Sequence, residues 1–137
     1  MKIKTRNRLL LIPKLIAAAI MLQTLFFKFS ASPESVYIFS AIGLEPWGRI
    51  VSGIMELIAA VMILIPATSA VGALLGIGIM AGALVTHFTT IGLVVMGDGG
   101  LLFGYCLLVL ACCLFIAIAK RSQLNSFLPR SKSLHAR

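Results

Sequence analysis

Four apolar stretches of roughly twenty residues each take up most of this chain, at 9–27, 48–65, 70–91 and 100–119. A helix needs about twenty apolar residues to cross a hydrocarbon core about 30 Å thick. Only 12% of the 137 residues are charged, where a soluble domain carries roughly twice that share. The mean hydropathy is +1.07. The expectation is an all-α membrane protein, a four-transmembrane-helix bundle. Residues 1–122 form its single domain, and 123–137 form a basic, flexible cytoplasmic tail.

The net charge of +8 is concentrated at the ends. Lys2, Lys4, Arg6 and Arg8 precede the first block, and Lys120, Arg121, Arg130, Lys132 and Arg137 follow the last. Basic residues flank the cytoplasmic ends of spans and attract anionic headgroups. The charge therefore reads as a lipid-bilayer signal and excludes nucleic acid as the partner. The first loop sets Lys28 against Glu34 and Glu45, and the third carries only Asp98. An even number of spans agrees with both termini being cytoplasmic and both of those loops facing outward.

The basic start followed by an apolar run imitates a signal peptide. Lys14 interrupts the run, and Ser30-Ala31-Ser32-Pro33 is a poor cleavage context, so the first helix is expected to be retained. Pro13 is placed in the first turn of span one, where a missing N–H costs little. Lys14 is placed to snorkel to the interface. The basic segment ahead of them is expected along the membrane surface. In the first loop, Val36, Tyr37, Ile38 and Phe39 make an apolar patch that dips toward the headgroups. Trp47 marks the chain's return to the membrane.

Cys106, Cys112 and Cys113 all fall in span four without a C-x-x-C pair, and read as small apolar fillers. Gly72-x-x-x-Gly76, Gly78-x-x-x-Gly82 and Gly100-x-x-x-Gly104 allow close backbone approach. That spacing suits packing within the chain and homo-oligomerisation equally.

Polar side chains inside spans carry the most information, because a charge at the bilayer centre costs about 3 kcal/mol by insertion scales. Arg49, Ser52 and Glu56 form one stripe on span two and should face the bundle interior. Counting outward from the turn near Ala67 places Glu56 about 12 Å from the level of His87. Arg49 is nearly level with His87, so the expected pairing is Arg49 with His87. Glu56 then lies deeper, within reach of Gln23 and Thr24 of span one and Tyr105 of span four. If neutral, Glu56 would donate a hydrogen bond to Gln23 or Tyr105. Lys28 alone reads as an interface anchor. The polar set is either a structural contact between helices or a pocket lined by Lys28, Arg49, Glu56 and His87, supported by Gln23, Ser52 and Tyr105. No motif for haem, zinc or a nucleotide is present, and no metal site is expected.

The run from Pro46 and Trp47 through Arg49 to Glu56, with Pro66, Gly72-Ala73 and the segment from Met80 to His87, resembles the DoxX-like family of small bacterial membrane proteins. Phe27-Lys28 resembles the family's lysine after an aromatic-rich first helix. Thr24 departs from the pattern, standing where a glycine is common. The resemblance covers about residues 9–119. It implies a four-helix bundle in the inner (cytoplasmic) membrane, and Lys28, Arg49, Glu56 and His87 as the positions carried over. It also implies association with an oxidoreductase complex, a quinone as the cofactor to consider, and membrane or soluble redox proteins as partners. The expected function is a redox-associated subunit that binds a quinone or small substrate in the outer half of the bundle, with catalysis of its own left open. The alternative is a non-enzymatic scaffold that recruits soluble partners through its basic termini.

Overall fold

The computed structural model describes residues 3–127. Six α-helices follow one another: α1 (Ile3–Phe29), α2 (Pro33–Ala41), α3 (Trp47–Leu64), α4 (Ser69–Thr86), α5 (Leu101–Ala119) and α6 (Arg121–Phe127). A short 3-10 turn, Pro66–Thr68, joins α3 to α4, and a π-helical turn, His87–Ile91, extends α4. Among the described residues, four stretches are long and apolar enough to cross a membrane: Lys4–Phe29, Trp47–Leu64, Pro66–Ile91 and Leu101–Ala119. The chain is an all-α, multi-pass membrane protein.

The spans form a ring in which α1 packs on α3 and α5, and α4 packs on α3 and α5. Each neighbouring pair is antiparallel. One end of the bundle holds the α3–α4 turn and is called here the hairpin end; the other, capped by α2, is the α2 end. The outward faces remain apolar, with Val51, Ile58, Val61, Val85, Phe115 and Ile118 all exposed to the surroundings. A membrane supplies the solvent such a surface needs.

The core is densest toward the hairpin end, where Ala17, Ala18 and Met21 of α1 meet Ala59, Ala60 and Ile63 of α3, Ala73 of α4, and Cys113 and Ile116 of α5. Small residues let these backbones approach closely. A Cβ on Gly72 would lie 2.7 Å from the Ile63 nitrogen, and one on Gly76 would lie 2.7 Å from Cys113 Sγ. The Gly72–Gly76 pair is therefore an intrachain contact. Gly78, Gly82 and Gly104 meet nothing within 4 Å. All three cysteines are free and buried, and Cys106 Sγ donates to the Met80 carbonyl at 3.3 Å.

Three local expectations change. The basic segment before span one belongs to α1, so Pro13 sits inside a helix and removes the bond its amide would give the Leu9 carbonyl. The first loop contains α2, whose start carries a recognisable signal. Ser32 Oγ accepts from the Ser35 amide at 3.3 Å, and Pro33 occupies the first helical position, where its missing N–H costs nothing. The stretch from Gln123 begins inside α6. Gln123 clamps the hairpin, its Nε2 donating to the Pro66 carbonyl at 2.8 Å and its Oε1 accepting from the Ala70 amide at 2.9 Å. The remainder of the expected tail, 128–137, lies outside the described residues, as do Met1 and Lys2.

Candidate functional site

Toward the α2 end the bundle opens into a cavity of about 790 Å³. Gln23, Lys28, Ser52, Glu56, His87 and Tyr105 all line it, together with α2 residues Ser35, Ile38 and Phe39. Helix α2 packs on α1, α3 and the π-helical turn, so it roofs the cavity at that end. Six of the seven residues singled out in the sequence thus meet around one space. The seventh, Arg49, does not border it.

Arg49 does not pair with His87. Its Nε donates to Glu45 at 2.9 and 3.1 Å, and its Nη1 donates to the Lys28 carbonyl. Glu45 lies four residues back, one turn away. The Lys28 carbonyl belongs to the last turn of α1, where unpaired carbonyls and the helix dipole favour a cation. Arg49 is thereby a clamp between α1 and α3.

Lys28 is more than an interface anchor. Its Nζ lies 2.6 Å from Glu56 Oε1, and the Thr24 hydroxyl lies 3.0 Å from Oε2. Thr24 is also 2.9 Å from the Met21 carbonyl, so its single proton serves one acceptor at a time. Glu56 is 3% exposed. A buried carboxylate is retained only when paired and hydrogen-bonded, and both of its oxygens have donors. The lysine stem bends back into the bundle instead of out to the interface. Neither Gln23 nor Tyr105 hydrogen-bonds Glu56 among the described residues, although both share its cavity.

His87 and Glu56 are not hydrogen-bonded to each other, as the depth count predicts. His87 Nδ1 lies 2.8 Å from the Gly92 carbonyl. A carbonyl only accepts, so Nδ1 carries a proton. The ring meets Phe103 edge-on, centroids 5.5 Å apart. The π-helical turn and the φ of +74° at Gly92 bring that carbonyl back to the ring. His87 is 5% exposed and Nε2 has no partner among the described residues. No fully enclosed side-chain nitrogen or oxygen there lacks one. Nε2 is therefore not fully enclosed, on a residue that lines the cavity.

The loop 92–100 is ordered by Asp98, whose carboxylate accepts three backbone amides. Its Oδ1 accepts from the amides of Val95 at 3.0 Å and Gly100 at 2.8 Å, and its Oδ2 from Leu102 at 3.0 Å. Partial burial pushes the carboxyl pKa up. The amides of Leu102, Val95 and Gly100, with His87 nearby, outweigh that and hold it below the usual range. A turn-forming Asp just ahead of a helix in a glycine-rich loop is the sequence signal for this.

A family model for DoxX-like proteins matches residues 12–115. The chain belongs to the DoxX-like family. No curated protein and no solved structure matches it. The match extends from the first span into α5, so every cavity residue named above falls within the DoxX-like region. Among the described residues of this DoxX-like chain, no group of three or more His, Cys, Asp or Glu side chains could hold a metal ion.

The cavity chemistry divides in two. Lys28, Glu56, Arg49 and Glu45 satisfy one another, so their charges are balanced. Gln23, Ser52, Tyr105 and His87 Nε2 retain hydrogen-bonding capacity toward the cavity. A mostly apolar space with a few convergent polar groups is the usual form of a small-molecule site.

Proposed function

We propose that this DoxX-like protein is a ligand-binding subunit of a membrane redox complex, and that it holds a quinone or another small substrate in the cavity beneath α2. The supporting observation is the set of four unspent polar side chains around an otherwise apolar space. Gln23, Ser52 and Tyr105 can donate to the oxygens of a flat carbonyl compound. His87 suits a ligand hydroxyl. Because its Nδ1 proton is committed to Gly92, a neutral ring presents Nε2 as an acceptor. A bound quinone would supply two-electron chemistry, and electrons would come from a partner protein. The charge bias at the termini supports a cytoplasmic hairpin end in the inner membrane, with α2 on the outer face.

The test is binding of a water-soluble benzoquinone, and its reduced form, to purified protein in nanodiscs. His87→Gln and Tyr105→Phe should each weaken binding by about tenfold, equivalent to about 1.4 kcal/mol. Truncation after Arg121 should leave it unchanged. If truncation abolishes partner capture and the cavity substitutions change nothing, the scaffold reading replaces this one.

A further inference from the structure

Along the α3–α4 pair the room at the glycines changes with distance from the turn. At Met62 they touch, since a Cβ on Gly72 would lie 2.7 Å from Met62 Cβ. Two turns along α3, on the same side of the helix as Met62, is Met55. Counted from the turn, Met55 is roughly 15 Å away, and Gly78 and Gly82 of α4 are roughly 14 and 20 Å away. Met55 thus stands opposite Gly78, and Ser52 opposite Gly82. Here an added Cβ on either glycine would meet nothing within 4 Å, so the space beside both is open. Both glycines are exposed, Met55 is 40% exposed, and all three also line the cavity.

The cavity wall at Met55, Gly78 and Gly82 is therefore made of exposed residues with open space beside the two glycines. At those depths a membrane about 30 Å thick in its apolar part presents acyl chains, not water. The α2 roof covers the end. His87, 5% exposed, lines the same cavity with no hydrogen-bond partner for Nε2 among the described residues, and the neighbouring charges are already neutralised in pairs.

The geometry points to a side window, rimmed by Met55, Gly78 and Gly82, through which the site takes a membrane-dissolved amphiphile with a small uncharged hydrogen-bonding head and a hydrocarbon tail. This rests on the pocket reading above and adds the route and the tail. The head reaches His87 and Tyr105, and the tail lies in the window where glycine leaves room for it. An uncharged head is selected because a net charge would find no unpaired counter-charge among Lys28, Glu56, Arg49 and Glu45.

The experiment uses the full chain in nanodiscs and two photoreactive probes. One is a long-chain alcohol with a diazirine beside its hydroxyl; the other is its short-chain counterpart. Labelling of the peptide containing Tyr105 is read by mass spectrometry. Wild-type protein should be labelled by both. Gly78→Leu and Gly82→Leu, which fill open space, should cut long-chain labelling by about tenfold and leave short-chain labelling intact. Met55→Trp, on the opposite side of the window, should do the same without touching the glycines. Unchanged long-chain labelling in all three variants would overturn the window and leave the pocket standing. Loss of both probes in all three would also overturn it, since the cavity rather than its side opening would then be lost. Failure of both probes to label the wild type would overturn the pocket and the window together.

Discussion

Lys28 Nζ lies 2.6 Å from Glu56 Oε1, tying the last turn of α1 to the middle of α3 across the roofed end of the cavity. Breaking a buried pair by removing one partner leaves the other charge uncompensated, at a cost of about 3–5 kcal/mol. Lys28→Met should therefore destabilise the protein by about 3 kcal/mol in unfolding from micelles. The double variant Lys28→Met/Glu56→Leu should recover most of that loss. A double variant no more stable than Lys28→Met would show that Glu56 tolerates losing its partner.

The glycines separate into two classes by substitution. Gly72→Ala forces a Cβ to within 2.7 Å of backbone and should lower stability by about 1–3 kcal/mol, the usual range for overpacking. Gly78→Ala meets open space and should raise stability by up to about 1 kcal/mol through helix propensity. Thermal unfolding of the two variants side by side checks the contrast, and equal effects would contradict the packing described for α3 and α4.

Asp98 gives the loop before α5 a pH dependence of known sign. Its folded pKa is held below the ordinary value of 3.8. The stabilisation is present above that ordinary value and is lost as pH falls through the lowered folded value. Amide exchange at Val95, Gly100 and Leu102, corrected for the intrinsic rate, should accelerate below about pH 4. In Asp98→Asn that acid dependence should vanish.

Gln123 makes two hydrogen bonds to the α3–α4 turn. Gln123→Ala should cost about 1–2 kcal/mol, at about 1 kcal/mol per bond, and expose α6 to protease. Trypsin cleavage after Arg121 should accelerate relative to wild type while the four spans stay intact.

The spans and their antiparallel order were legible because lipid enforces them. Blocks of about twenty apolar residues have few other solutions. Residue depth was legible too, since helical rise converts sequence distance from a turn into position along the bundle. In keeping with that count, no hydrogen bond joins Glu56 to His87; of the three neighbours it offers the carboxylate, Thr24 hydrogen-bonds it and Gln23 and Tyr105 do not. Partner choice was not legible. Residue counting puts Arg49 and His87 at nearly one level, yet each pairs with a loop group instead: Glu45 before α3, and the Gly92 carbonyl after the π-helical turn. Loop geometry has no fixed rise, so depth counting stops at the helix ends. Lys28 carries two readings in the sequence, an interface anchor alone and a pocket residue beside Glu56, because its long stem can bend toward either side of its attachment point; its Nζ meets Glu56. Helix α2 was missed although Ser32-Pro33-Glu34 is a helix-start signal, because nine residues are too few to show a clear period.

The contrast between a filled hairpin end and a hollow α2 end makes the molecule mechanically lopsided. Close-packed interiors resist compression, whereas internal void volume couples to pressure. Squeezing by hydrostatic load, or by tighter lipid packing around the spans, would be absorbed almost wholly in the half that holds His87 and Tyr105. The stiff half would then act as a fixed base against which the other half yields.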